Sequence, residues 1–76
     1  YVMTAYKFLV KDIYTNEKRE FEHISDSSDS RLAHKEGMRH IKYEEDIEKV
    51  YTDKNKSLNV KSYDRLVYDK RKGFLD

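Results

Sequence analysis

The sequence predicts a small α+β domain of order β-β-α-β-β, an antiparallel sheet with one helix packed across one face. Three observations carry that expectation. Apolar and aromatic residues recur at spacing two through Tyr6, Phe8 and Val10, then again at Phe21 and His23 after the polar break Thr15-Asn16-Glu17-Lys18, which is the pattern of a hairpin. The run Ser25-Asp26-Ser27-Ser28-Asp29-Ser30 offers short side-chain oxygens for the orphan N–H groups of a helix start, and acids that suit its positive end. Beyond the helix, a second set of apolar segments is available to complete the sheet.

With Thr15 to Lys18 as the turn, Tyr14 faces Arg19, Asp12 faces Phe21 and Val10 faces His23. That register gathers Tyr6, Phe8, Val10, Tyr14 and Phe21 on one face. A three-residue loop would face Ile13 with Phe21 and lose the aromatic face. Leu9, Ile13 and Ile24 fall on the second face. They are either covered by the C-terminal part or left as a contact surface.

From Asp29 to about Lys42 the positions Ala33, Gly37 and Ile41 follow one another at i, i+4 and i+8, a narrow stripe of small residues flanked by Leu32 and His40. Glycine in a helix interior costs roughly 1 kcal/mol relative to alanine, so Gly37 is read as the point where the helix approaches the sheet closely. Residues 43–56 fit two readings. Tyr43, Ile47, Val50 and Tyr51 have helical spacing, with Glu44, Glu45 and Asp46 suited to a first turn. Equally, Ile47 to Thr52 can be one arm of a hairpin, Asp53-Lys54-Asn55-Lys56 its turn and Ser57 to Ser62 the other arm. The strand is preferred because a hairpin followed by a helix leaves a sheet to complete. Arg65 to Tyr68 is a fifth short strand or an extension of the fourth. Residues 69–76 are expected to be a frayed tail of the single domain 1–76.

Leu, Ile, Val and Phe number 17 of 76 residues, and a chain of this length buries only about 60% of its unfolded surface, so the seven tyrosines are expected to rim a thin core. Charged residues make up 41% yet nearly cancel to +1, which excludes a single-sign field over the whole surface. Without cysteine there is no disulfide, thiolate nucleophile or cysteine-based metal site. No apolar run approaches the ~18 residues of a membrane span, and with no basic-then-apolar leader to suggest it, secretion is not expected. Met3 reads as the natural start, and a cytoplasmic location with no membrane contact is expected.

Catalysis finds no support in these residues. Gly37 and Gly73 form neither a phosphate cradle nor a nucleophile elbow, the serine cluster is explained by capping, and Glu44, Glu45 and Asp46 read as solvated. His23, His34 and His40 lack the i, i+3 or i, i+4 spacing of helical metal ligands. His23 and His40 with a carboxylate from another element would be the remaining combination, but partly buried or surface histidines are the expectation. Neither a cofactor nor a metal is expected.

Two binding readings stand. Between Lys54 and Lys72 seven basic residues (Lys54, Lys56, Lys61, Arg65, Lys70, Arg71 and Lys72) meet two acids, Asp64 and Asp69, with Tyr63, Tyr68 and Phe74 interleaved. Phosphate neutralisation plus base stacking would make 51–74 a nucleic-acid segment, although lysines on exposed strand edges serve equally to deter unwanted pairing. The preferred reading is protein binding through Leu9, Ile13 and Ile24, by strand addition or a tyrosine-rich patch, with burial of the same patch in a homodimer as its bland counterpart.

The stretch AYKFLVKDIYTNEKREFEHISDSSDSRLAHKEG, residues 5–37, resembles the opening of small accessory proteins from bacteriophages of Gram-positive hosts: a strand, a polar turn, a second strand and a Ser/Asp-rich cap before a helix. The resemblance implies a non-enzymatic module that captures or inhibits a host protein in the host cytoplasm. It carries over no functional residue.

Overall fold

In the computed structural model, which describes residues 3–52, 63 and 65–75, the elements follow the order β1 (Thr4–Asp12), β2 (Lys18–Ser25), α1 (Ser30–Met38), β3 (Glu45–Thr52), β4 (Arg65–Asp69) and β5 (Gly73–Phe74). All strand pairs are antiparallel, and the sheet runs β2-β1-β3-β4-β5. The small α+β fold is therefore the one expected, with one further short strand.

The hairpin β1–β2 pairs Phe8 with Phe21, Tyr6 with His23 and Val10 with Arg19. Its turn lies two residues earlier than Thr15 to Lys18, and the cause is Asp12. One carboxylate oxygen of Asp12 accepts from the N–H groups of Tyr14 at 2.8 Å and Thr15 at 3.0 Å, its carbonyl accepts from Asn16 at 2.9 Å, and Asn16 takes the left-handed φ of 63°. Because the displacement is even, Phe21 keeps its face, whereas Tyr14 moves out of the strand and is exposed.

A ladder of side chain-to-backbone bonds leads into α1. Ser25 Oγ accepts from the Ser27 N–H, Ser27 Oγ from the Asp29 N–H, and the Asp29 carboxylate from the Arg31 N–H, so Asp29 is the N-cap. The helix ends at Met38 rather than near Lys42, with Arg39 and His40 turning back onto the carbonyls of Glu36 and Gly37. Ala33 and Gly37 are buried against the sheet, and Ile41 packs on the core from beyond the helix end. A β-carbon on Gly37 would stand 2.3 Å from Phe8 Cε2, so the absence of a side chain sets the distance between helix and sheet.

Residues 45–52 form a strand. Tyr6, Phe8, Val10, Ala33, Ile47, Val50 and Val67 make the core, with Phe21, Ile41 and Tyr68 packed against it. Two irregularities adapt the ladders: between β1 and β3 the register shifts at Leu9/Val10, leaving Glu48 as the extra residue, and between β3 and β4 it shifts at Val50/Tyr51, leaving Val67 extra. The expected arm Ser57 to Ser62 lies outside the described residues. The expectation of a frayed tail from Asp69 is corrected. Asp69 Oδ1 accepts from the Arg71 N–H, its carbonyl from Lys72, and Gly73 at φ 81° lets Gly73–Phe74 return along β4. That is a three-residue hairpin closed by a left-handed glycine.

Candidate functional site

Helix α1 lies on the face of Tyr6, Phe8 and Val10, and the side chains around it are mostly engaged. Phe8 stacks on Phe21 with ring centroids 5.1 Å apart. His23 Nε2 is 2.7 Å from Glu36 Oε1, joining β2 to α1, and that bond together with a second from Ser25 lowers the Glu36 pKa. His40 stands beside His23 at 5.4 Å between ring centroids, so the two histidines and a carboxylate are neighbours. Even so, no three His, Asp or Glu side chains among the described residues are arranged to hold a metal ion. Arg19 crosses over β1 to bind Glu45 through two hydrogen bonds of 2.6 and 2.8 Å. With the Lys42 N–H as a third partner, that pair draws the Glu45 carboxyl down to about 2.

The opposite face is built from the alternate residues of the same strands. Cross-strand partners share a face, so Lys7, Leu9 and Lys11 of β1 stand with Lys18, Glu20, Glu22 and Ile24 of β2, with Lys49 and Tyr51 of β3, and with Leu66 of β4. Among the described residues no second layer covers them. Lys7 pairs with Glu20 at 2.7 Å and Lys70 with Asp46 at 2.9 Å, the latter raising the Lys70 pKa, whereas Lys11 reaches Glu48 only at 4.0 Å. An open depression of about 350 Å³ is lined by Leu9 and Val10, by the basic residues Lys11, Lys18, Lys49 and Arg71, and by the acidic residues Glu48 and Asp69. The extra residue in β3 is what brings Glu48 and Lys49 to the same depression.

Leu9, Ile13 and Ile24 do not gather into one patch. Leu9 lines the depression half-buried, but Ile24 sits opposite Ala5, four residues along β2 from the Glu20 that faces Leu9, or about 13 Å away. Ile13 belongs to the turn, half-exposed, its N–H bonded to the Glu44 carbonyl. The basic segment divides as well. Tyr68 and Phe74 pack on each other and on His34, whose pKa burial lowers, and Arg31 lies 4.9 Å from the Phe74 ring centre. Lys70 is paired, Arg65, Arg71 and Lys72 are exposed, Tyr63 is half-buried, and Lys54, Lys56 and Lys61 lie outside the described residues. Sequence reasoning missed Lys11, Lys18 and Lys49 as site residues, because they come from three strands and share no local motif. Comparison of the chain with protein-family models, with curated proteins and with solved structures finds no match.

Proposed function

We propose that this chain is a non-enzymatic binding module that captures a partner protein on the open face of its sheet and thereby inhibits it. The observation that carries this reading is the one-sided architecture. The single described helix covers one face, while the other presents Leu9, Tyr51 and Leu66 among charged side chains with no described layer over them. Tyrosine and half-buried leucine supply contact area at low entropic cost, and surrounding charges give orientation. The resemblance of residues 5–37 to the openings of phage accessory proteins supports a host protein, met in the host cytoplasm, as the target.

The nucleic-acid reading is less supported, since two of its three stacking residues, Tyr68 and Phe74, are engaged with His34 on the helix side. A pull-down from host lysate, run with the wild type and with Leu9→Asp, tests the module. A stoichiometric partner retained by the wild type and lost by a Leu9→Asp protein of unchanged circular dichroism is the expected result. No such partner, or equal retention by the folded variant, overturns it.

A further inference from the structure

We propose that the depression on the open face receives an acidic peptide segment of the partner protein, its carboxylates set against Lys18, Lys49 and Arg71 and an apolar side chain set on Leu9. This rests on the binding-module reading and names the chemistry of the partner. The charge arrangement carries the inference. Lys11 and Lys18 are directly opposed on neighbouring strands, a like-charge pair that destabilises a sheet. Among the described residues, no carboxylate lies within ion-pairing distance of Lys18, Lys49 or Arg71, while Lys11 has Glu48 only at the 4.0 Å limit. Elsewhere Lys7 is matched closely with Glu20, Arg19 with Glu45 and Lys70 with Asp46, while Arg31, Lys35, Arg39, Lys42, Arg65 and Lys72 have no ion pair among the described residues and are not gathered into the depression. At this concavity four basic residues meet two acidic ones, Asp69 standing directly opposite Lys49, so a net excess of positive charge faces an incoming anion.

A protein segment suits the depression better than a nucleic-acid strand. Glu48 and Asp69 on its wall would repel a continuous phosphate backbone, yet leave room for separate carboxylates, and Leu9 asks for an apolar neighbour. A volume of about 350 Å³ admits a few side chains. The chain's own residues 53–62 have the wrong sign to fill it, with Lys54, Lys56 and Lys61 against Asp53.

The test uses three probes on the full chain: a short Asp/Glu-rich peptide with one central Leu, its Asn/Gln counterpart, and a single-stranded DNA of equal charge. Amide shift changes on adding the acidic peptide are expected at Leu9, Lys11, Lys18, Lys49 and Arg71, with no binding of the uncharged peptide. The double variant Lys49→Glu/Arg71→Glu should weaken binding about tenfold or more, and Lys35→Glu/Lys42→Glu, equal in charge but away from the depression, less than about twofold. Shifts elsewhere, equal loss in both double variants, or tighter binding of the DNA overturns the proposal. So does a dimer in sedimentation velocity that Lys49→Glu dissociates, since a second copy would then be the occupant. Failure of the peptide beside a pull-down partner that Leu9→Asp releases removes the acidic segment alone. Failure of the pull-down removes the module reading.

Discussion

On the helix-covered face, Phe8 is wholly buried, stacks on Phe21 with ring planes 1° apart, and lies against a glycine that has no β-carbon to give. On the other face of the same strand, Leu9 is only half-buried, and its neighbours in the depression are lysines and carboxylates. Alternation at period two puts these environments one residue apart in sequence and on opposite sides of the sheet. On the first face the buried rings are in contact and His23 is paired with Glu36 and Arg19 with Glu45, which is how a thin core reaches stability. The second tolerates an opposed lysine pair and half-exposed leucines, which stability alone does not require. The difference teaches where to look for binding: the side where charge and apolar area are left unsatisfied by the fold.

The contrast is broken most directly by truncating β1 on each side. Phe8→Ala removes a fully buried ring and the stack on Phe21, and is expected to cost about 3–5 kcal/mol, enough to unfold much of the population of so small a domain. Leu9→Ala, on the open side, is expected to cost less than about 1.5 kcal/mol because its side chain already meets water. Urea titrations of both variants check this. Equal losses would mean that the open face is core.

Gly37→Ala tests the helix-to-sheet distance. Alanine improves helix propensity by about 1 kcal/mol, but its β-carbon would stand 2.3 Å from Phe8 Cε2 and 2.6 Å from Cζ, and the stacked, buried ring has nowhere to retreat. A net destabilisation of about 1–3 kcal/mol is expected in the same titration. A gain in stability would show that the helix can lift away, and with it the distinction between a closed and an open face.

Much of the closed face was legible from the residues: the alternation of Tyr6, Phe8 and Val10, the run of capping oxygens from Ser25 to Ser30 in which Asp29 is the N-cap, and the use of Gly37 as a point of close approach all follow from local rules. The turn was misplaced by two residues because Asp12 reads as an ordinary strand residue until its carboxylate is seen to hold the Tyr14 and Thr15 amides. Strand β5 was missed although Asp69-Lys70-Arg71-Lys72-Gly73 carries its signal, an Asp to hold the turn and a glycine at the left-handed position; two residues are too few to show a period. The open face was the least legible. Its depression takes cations from β1, β2, β3 and the β4–β5 turn, brought together by register and by an extra residue at Glu48, and neither leaves a mark on composition.

The pH response sharpens the comparison further. Glu45 titrates at about 2 in the folded chain because of Arg19 first and the Lys42 N–H second, against an ordinary value of 4.5. A depressed carboxyl contributes stability that is present in full above its unfolded pKa and is lost as pH falls through the folded one, so the contribution should fade between about 4.5 and 2. Acid titration of the wild type against Glu45→Gln should show the variant less stable at neutral pH and the gap closing over that window. A gap independent of pH would locate the effect in packing instead of charge.

The smallest expected effect is also the one that separates stability from binding. Lys18→Glu converts the opposed pair Lys11–Lys18 into an attractive one, and on the fold alone it should stabilise the sheet by about 0.2–1 kcal/mol. The same change places a carboxylate on the wall of the depression and should weaken the acidic peptide. Gln at position 18 removes the repulsion without adding the acid, and should fall between the two in both measurements. A variant that is more stable and binds less tightly is the signature of a charge kept for a partner. If Lys18→Glu instead lost stability, the opposed lysines would owe their arrangement to the fold, and the open face would carry no more functional charge than the closed one.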